Sequence, residues 1–450
     1  MFAETLEAVQ SSPSKRTIYV RFVLATLAVM VLFKTFRFGR WSAWQVRELS
    51  DFDAFYIVAQ QICYGQLDLV YRFETLVKLQ QAFAGSTSFM PWTYPPQFDL
   101  LVAPFALLPA GIAYLLFITA TLVAYLLTLR AIAGQNFALV LVVLFPALAI
   151  TVGCGQNGFL TGTLIGIVCL NVERRQIIAG LALGAMVIKP HLAIAAGVYM
   201  LATRRWGALA TAAAVVLASS LVCTLVFGWQ IWTAWLGAIR ESAIFLERGF
   251  YPLFRMVSTY AALGRAGLPS SVAFWMQAAA ASLALFAVVL AVWLGTARRA
   301  SPNFAFGVAA MVSVMISPYA YDYDLPIIGI GLALMLPDLA QVANARERSF
   351  LYGLILLAGA YGMLQSARLA AQFGNEADLT GMDDKFVPSI GGFAMMVLLA
   401  LLLRLLWRAT QPAPIVQQAA DSLRPPHRQP DAAECERYVL SRRAESVGSA

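Results

Sequence analysis

Apolar residues in this chain form long runs that are separated by short polar or basic stretches. The runs cover about residues 20–36, 97–131, 137–152, 157–172, 177–188, 190–203, 207–227, 272–295, 303–317, 325–340, 350–366 and 389–408. A straight membrane crossing needs about 20 apolar residues, so the shorter runs predict broken or partly re-entrant helices that line a protein cavity. The pattern therefore predicts an all-α, polytopic transmembrane bundle of about 12 helices.

Composition agrees with a protein that is surrounded by lipid. Of the 450 residues, 60% are hydrophobic and 12% are charged, which is too few charges to cover a water-soluble protein of this length. The net charge of +8 comes from short basic clusters between apolar runs, a pattern typical of membrane anchors, so we expect membrane lipids and no nucleic acid as partners. Five cysteines without paired spacing and only two histidines predict no metal and no cofactor.

The basic clusters also predict the orientation, because cytoplasmic loops are enriched in lysine and arginine. They are Lys15/Arg16, Arg174/Arg175, Arg204/Arg205, Arg298/Arg299, Arg346/Arg348 and the tail after Arg404. All can be cytoplasmic together if residues 97–131 cross once, with a bend near Pro104 or Pro109; a tight hairpin is the alternative. Both termini are then cytoplasmic. Residues 1–410 form the membrane module, and residues 411–450 are expected to be a disordered tail.

Under this topology the unusual polar segments share the extracytoplasmic face. They are the first loop at about 38–96 with its short amphipathic helices, the turn at 153–157, the tip at 189–191 and the segment at 317–324. Ionisable groups in such apolar surroundings are costly and usually serve a site. We therefore expect one functional site on that face.

The first loop and the glycine turn supply the first candidates. Asp51 lies at the start of a predicted helix, where it either caps the helix or takes a proton from an acceptor hydroxyl as a general base. Asp53 is the competing base. Gln156 and Asn157 add hydrogen-bonding capacity for a sugar, although the turn alone also explains the segment.

Lys189 and His191 flank a proline break between two short apolar helices. Lys189 can neutralise a phosphate while His191 donates a second hydrogen bond, and the N-terminus of the following helix adds partial positive charge. The alternative is a lysine that only reaches the membrane interface. Arg248 and Arg255 are further candidates for a phosphate or pyrophosphate.

The segment at 317–324 combines two carboxylates with three tyrosines. The ring of Tyr321 can bind a sugar face while Asp322 and Asp324 accept hydrogen bonds from its hydroxyls. The alternative is that the tyrosines are anchors at the membrane interface.

Several short motifs follow one another in a distinctive order. They are Asp51-Phe-x-x-Phe-Tyr56 with Gly65 and Tyr71, Tyr94-Pro-Pro96 leading to Leu107-Leu-Pro109, Gly155-Gln-Asn157, Ala179-Gly-Leu-Ala-Leu-Gly184, Ile188-Lys-Pro190, Arg204-Arg-Trp206 and Ser317-Pro318. Over about residues 20–410 this order resembles glycosyltransferase family 87, the polyprenyl-phosphate-mannose-dependent mannosyltransferases of the GT-C superfamily.

The resemblance implies a GT-C fold and an enzyme of the bacterial inner membrane. It implies that Asp51 is the general base, that a polyprenyl-phosphate sugar is the donor, and that a lipid or glycan hydroxyl is the acceptor. An inverting displacement from a β-linked donor would give an α-linked product, with mannose as the default sugar. After Ser317-Pro318, where relatives carry a histidine, this chain has Tyr321-Asp-Tyr323-Asp, which alters the expected contacts to the leaving group.

A transporter or a flippase for lipid-linked sugars is the alternative function. Such proteins place ionisable residues near the bilayer midplane and often contain an internal repeat. This sequence shows no internal repeat, and its polar motifs cluster at one predicted face. The pattern therefore favours a transferase.

Overall fold

The structure is a computed structural model that describes residues 2–8, 12–39, 49–85, 89–248, 250–297, 299–373 and 387–411. Its α-helices are α1 (Phe2–Ala8), α2 (Pro13–Phe38), α3 (Asp51–Cys63), α4 (Leu67–Val70), α5 (Phe73–Ala84), α6 (Pro96–Val102), α7 (Ala110–Ala133), α8 (Phe137–Cys154), α9 (Gly158–Asn171), α10 (Gln176–Ala185), α11 (Pro190–Ala202), α12 (Trp206–Phe227), α13 (Gln230–Glu247), α14 (Thr259–Arg265), α15 (Ser270–Thr296), α16 (Pro302–Val312), α17 (Pro326–Val342), α18 (Ala345–Phe373) and α19 (Ile390–Thr410). Short 3-10 turns cover Ala103–Leu107, Gly134–Asn136, Met186–Ile188, Leu253–Arg255, Ser313–Met315 and Asp322–Asp324. These described residues form no β-sheet, and an isolated antiparallel bridge joins Met256 to Tyr321.

Six helical segments of the described chain are long and apolar enough to cross a membrane. They are Pro13–Phe38, Ala110–Cys154, Trp206–Phe227, Ser270–Thr296, Ala345–Leu369 and Ile390–Thr410, and shorter apolar helices accompany them. The prediction of an all-α protein with several membrane spans is therefore confirmed, and the chain is an integral membrane protein. The GT-C architecture, the count of about 12 helices and the orientation stay predictions.

The spans differ in how deeply they are buried. In α12 and α2, 11% and 17% of the apolar stretch is buried, whereas in the segment Ala110–Cys154 the share is 72%. Helix α17 is buried along most of its length. Because exposed leucine and phenylalanine side chains on α2 and α12 need an apolar solvent, lipid surrounds these helices and α7, α8 and α17 form the core.

Proline breaks interrupt the bundle where polar groups collect. Pro190 is the first residue of α11 and Pro326 the first residue of α17, positions where a missing N–H costs no intrahelical hydrogen bond. A 3-10 turn precedes each break, at Met186–Ile188 and at Asp322–Asp324. These breaks allow Lys189, Asp322 and Asp324 to point into the interior of the bundle, where all three are buried.

The region 97–131 is divided as the sequence predicts. Helix α6 and the turn Ala103–Leu107 end at Leu108, and Pro109 then precedes α7. Whether this region crosses once or forms a hairpin in a bilayer stays a prediction. Residues 412–450 lie outside the described residues, and with them the tail that the sequence predicts to be disordered; Arg298 of the basic clusters also lies outside.

Candidate active site

Two carboxylates at the start of α3 have different environments. Asp53 is fully buried, and its side chain accepts a hydrogen bond of 2.9 Å from the backbone N–H of Ser50. This contact satisfies a backbone donor at the helix N-terminus. Asp51 is partly exposed and takes no part in this cap. The capping role that the sequence leaves open for Asp51 therefore belongs to Asp53.

The side-chain carboxamide of Gln156 holds Asp51 by a hydrogen bond. The Nε2 atom of Gln156 donates a hydrogen bond of 2.9 Å to Oδ1 of Asp51. The other end of the same carboxamide, Oε1, accepts hydrogen bonds of 2.9 Å from the Tyr94 hydroxyl and from the backbone N–H of Asn157. Gln156 thus links the loop before α6 to the start of α3.

Gly155 makes this arrangement possible. It ends α8 with φ of 71°, and a Cβ at this position would lie 2.6 Å from Cβ of Phe52. A positive φ together with such close packing excludes a side chain. The chain therefore turns sharply, and the next residue, Gln156, faces the N-terminus of α3.

Asn157 is fully buried beside this turn. Among the described residues, neither its Oδ1 nor its Nδ2 has a hydrogen-bond partner. Buried polar atoms almost always have partners, so this carboxamide is suited to a small polar ligand group or a bound water.

Lys189 forms a buried ion pair. Its Nζ lies 2.7 Å from Oδ1 of Asp324, and the two side chains are 8% and 1% exposed. The same ammonium lies 4.8 Å from the ring centre of Tyr323 and 5.8 Å from that of Tyr94. Burial disfavours the charge of Lys189, but Asp324, Tyr94 and Asp51 together outweigh this effect and raise the pKa of Lys189 above its usual value.

Arg255 forms a second buried pair. Its guanidinium donates to both oxygens of Asp322, at 2.9 and 3.2 Å, and to the Cys154 sulfur at 3.1 Å. A Cβ on Gly362 of α18 would lie 2.2 Å from Oδ2 of Asp322, so this glycine makes room for the pair. Although burial opposes its charge, Asp322 holds the pKa of Arg255 well above its usual range.

The segment after α16 joins the two pairs. Asp322 and Asp324 bind cations from different parts of the chain, and the rings of Tyr321 and Tyr323 stack at 5.0 Å with an interplanar angle of 10°. The second oxygen of Asp324 accepts a hydrogen bond of 3.2 Å from the backbone N–H of Tyr321. Both carboxylates are therefore paired with cations. That Asp322 and Asp324 bind a sugar stays a prediction.

The structure brings most of the sequence-predicted candidates into one cluster. Asp51 interacts electrostatically with Lys189, Arg255 and Asp322. His191 interacts electrostatically with Asp324 and Lys189, and its buried Nε2 has no hydrogen-bond partner among the described residues. Of the two arginines that the sequence offers as candidates for a phosphate, Arg255 lies in the cluster, whereas Arg248 is exposed.

Sequence reasoning missed two members of the cluster. It named Tyr94 only as part of a motif and gave it no role, yet the Tyr94 hydroxyl donates a hydrogen bond to Gln156. It assigned no contact to Cys154, which accepts from Arg255. The Tyr94-Pro-Pro96 motif was a usable signal for the tyrosine, whereas nothing in the sequence distinguishes this cysteine. Among the described residues, no group of three or more His, Cys, Asp or Glu side chains could hold a metal ion.

Close packing at Gly158 gives a stability prediction for the cluster. A Cβ on this residue would lie 1.9 Å from the carbonyl oxygen of Tyr323, so Gly158→Ala must displace the segment that carries both carboxylates. We expect the free energy of unfolding to fall by about 1–3 kcal/mol, measured as a lower melting temperature. Gly153→Ala is the matched control, because its Cβ would meet no atom within 4 Å. Equal melting temperatures for the two variants would contradict this packing.

The chain matches a known protein family. The family model of glycosyltransferase family 87 matches residues 92–318, half of the chain. The match includes Gln156, Lys189 and Arg255 and ends before Asp322. No curated protein and no solved structure matches the chain.

Proposed function

The chain belongs to glycosyltransferase family 87 and is a membrane glycosyltransferase; we propose that its donor is a polyprenyl-phosphate sugar, with mannose as the default. The proposed acceptor is a hydroxyl group of a glycolipid or glycan. The proposed location is the bacterial inner membrane, with both termini in the cytoplasm and the site on the extracytoplasmic face. The basic clusters and the order of the polar motifs support this orientation.

One observation carries the proposal, namely the unequal pairing of three carboxylates. Asp322 and Asp324 each bind a buried cation, whereas Asp51 has no ion-pair partner among the described residues and accepts only from the Gln156 amide. A carboxylate that is paired with a buried cation must break that ion pair to accept a proton, whereas Asp51 has no such pair to break. Asp51 is also partly exposed, so an acceptor can reach it.

In the proposed reaction Asp51 acts as the general base. It removes the proton from the acceptor hydroxyl, and the oxygen attacks the anomeric carbon of the sugar. The new carbon–oxygen bond forms as the bond from the anomeric carbon to the phosphate oxygen breaks. The polyprenyl phosphate leaves with the electron pair, and attack from the opposite face inverts the anomeric configuration.

Arg255 and Lys189 supply the positive charge that the leaving phosphate needs. Both cations are buried, and both interact electrostatically with Asp51. A fixed guanidinium or ammonium in dry surroundings stabilises developing negative charge without reorganisation. We propose that His191, through its unpartnered Nε2, donates a further hydrogen bond to this phosphate.

The sugar is proposed to lie between the turn at Gln156 and the tyrosine stack. Asn157 offers a donor and an acceptor that are unpartnered among the described residues, which suits a hydroxyl group. Tyr321 offers a ring face beside Arg255, whose guanidinium carbon lies 6.0 Å from the ring centre. We propose that Asp322 and Asp324 act mainly by holding the two cations and contact the sugar only secondarily.

Sugar transfer by the purified protein tests the proposal. The full chain in lipid nanodiscs receives radiolabelled polyprenyl-phosphate-mannose and a membrane lipid extract, and labelled product is separated from donor. We expect product whose anomeric configuration is opposite to that of the donor. Labelled product from another prenyl-phosphate sugar, with none from the mannose donor, would correct the sugar. No product from any such donor, combined with movement of intact donor across a bilayer, would replace the proposal with a flippase.

A further inference from the structure

We propose that Gln156 is a positioning residue, which Tyr94 and the Asn157 backbone lock in the single orientation that donates a hydrogen bond to Asp51. This assignment rests on the proposed role of Asp51 as the base. Sequence considerations suggested a sugar contact for Gln156. The hydrogen bonds give it a different role, because protein groups engage both ends of its carboxamide.

The orientation of a carboxamide is set by its partners. Oε1 of Gln156 receives two donors, the Tyr94 hydroxyl and the backbone N–H of Asn157, each at 2.9 Å. Rotating the carboxamide by 180° would point its NH2 group at both donors and its oxygen at the Asp51 carboxylate. The contacts to the Asn157 N–H and to Asp51 would then become repulsive, and the Tyr94 hydroxyl would have to change from donor to acceptor. The amide hydrogen therefore always faces Asp51.

Tyr94 is itself held in place. Its ring stacks on Phe98 at 4.3 Å, and its backbone carbonyl accepts a hydrogen bond of 2.9 Å from the Tyr71 hydroxyl. The Tyr71 hydroxyl also lies 2.6 Å from Oδ2 of the buried Asp99 of α6, and its single hydrogen serves one of these two contacts at a time. A chain of contacts thus runs from buried groups of α6 through Tyr94 and Gln156 to Asp51.

The hydrogen bond acts on the position of the Asp51 carboxylate. The amide of Gln156 fixes Oδ1 at 2.9 Å, so the carboxylate is held in one orientation toward the acceptor hydroxyl. The charged groups that interact electrostatically with Asp51 are the cations Lys189 and Arg255 and the carboxylate of Asp322. The other titratable groups that do so are Tyr94, Tyr321, Tyr323 and Cys154. Each cation already has its own carboxylate, which leaves Gln156 as the direct donor to Asp51 among the described residues.

Infrared difference spectroscopy measures this contact without any substrate. Spectra of the wild-type chain minus spectra of Asp51→Asn isolate the carboxylate stretching bands of Asp51. In Gln156→Met, which keeps the side-chain volume but removes the donor, we expect these bands to shift, because the hydrogen bond to Oδ1 is lost. Tyr94→Phe keeps Gln156 and removes one lock, so we expect a smaller shift in the same direction.

Tyr56→Phe is the matched control. Tyr56 also belongs to α3, is also partly buried, and donates a hydrogen bond of 2.9 Å to the Leu108 carbonyl rather than to the cluster. We expect it to leave the carboxylate bands of Asp51 unchanged. In transfer assays Gln156→Met should lower kcat by about tenfold, because the base is no longer held in position, with KM for the donor within about twofold.

The outcomes separate this inference from the proposed function. Unchanged carboxylate bands in Gln156→Met, in a protein whose wild type transfers sugar, would overturn the positioning role and leave the transferase intact. Shifted bands in a protein whose wild type and Asp51→Asn forms transfer equally would confirm the positioning role and remove Asp51 as the base. Shifted bands with a loss of kcat confirm both.

Discussion

Asp51→Asn is expected to lower kcat of sugar transfer by about 10²–10⁴-fold, because general base catalysis typically contributes that much. The substitution removes the basic oxygen while keeping the shape of the side chain, and the new carboxamide oxygen can still accept from Gln156. The fold and the donor affinity should therefore be retained. The measurement is kcat and KM with labelled donor, together with the melting temperature of each variant.

Asp53→Asn is the matched control for this loss. Asp53 is two residues away and fully buried, and its side chain accepts from the Ser50 N–H. An asparagine oxygen can take over that contact, so the helix cap should weaken by about 1 kcal/mol at most. We expect transfer within a few-fold of wild type. Equal activity in both variants would remove Asp51 from the mechanism and direct attention to Asp322 and Asp324.

The helices of this protein are largely predictable from its sequence. The run at 207–227 corresponds to α12, that at 272–295 to α15, and that at 389–408 to α19. Length is the decisive signal here, because membrane helices are apolar on all sides and carry little periodicity. The proline break at Pro190 and the division near Pro109 follow from the missing N–H and fixed φ of proline.

The contacts of the site are much less predictable. Gln156 and Asp51 are 105 residues apart in sequence, and Lys189 and Asp324 are 135 apart. No pattern within a single helix encodes such pairings, because they depend on how broken helices pack. The sequence identified these residues as costly in apolar surroundings, and that cost is offset by partners that only the folded chain reveals.

The ion pairs also explain why Asp322 and Asp324 differ in role from Asp51. From sequence alone, Asp322 and Asp324 were expected to accept hydrogen bonds from a sugar. In the folded protein each compensates one buried cation, Arg255 or Lys189. Each ion pair holds its cation in place, so both cations are in position before any phosphate arrives. Asp51, in contrast, forms no ion pair with a cation among the described residues.

Lys189→Met is expected to destabilise the protein by about 3–5 kcal/mol, because removing one partner leaves the other charge buried and uncompensated. Asp324 is 1% exposed, so water cannot replace the lost ammonium. The measurement is the melting temperature in detergent. Arg72→Met is the control: Arg72 lies 2.8 Å from Asp68, with the two side chains 66% and 47% exposed, and such pairs contribute about 0–1 kcal/mol.

A double variant separates the structural from the chemical role of Lys189. Lys189→Met combined with Asp324→Asn removes both charges, and the asparagine oxygen still accepts from the Tyr321 N–H. We expect most of the stability to return, since no buried charge is left unpaired. Sugar transfer should stay low, because the cation proposed to stabilise the leaving phosphate is gone. Recovery of transfer together with stability would mean that Lys189 serves the fold alone, and that Arg255 carries the phosphate without it.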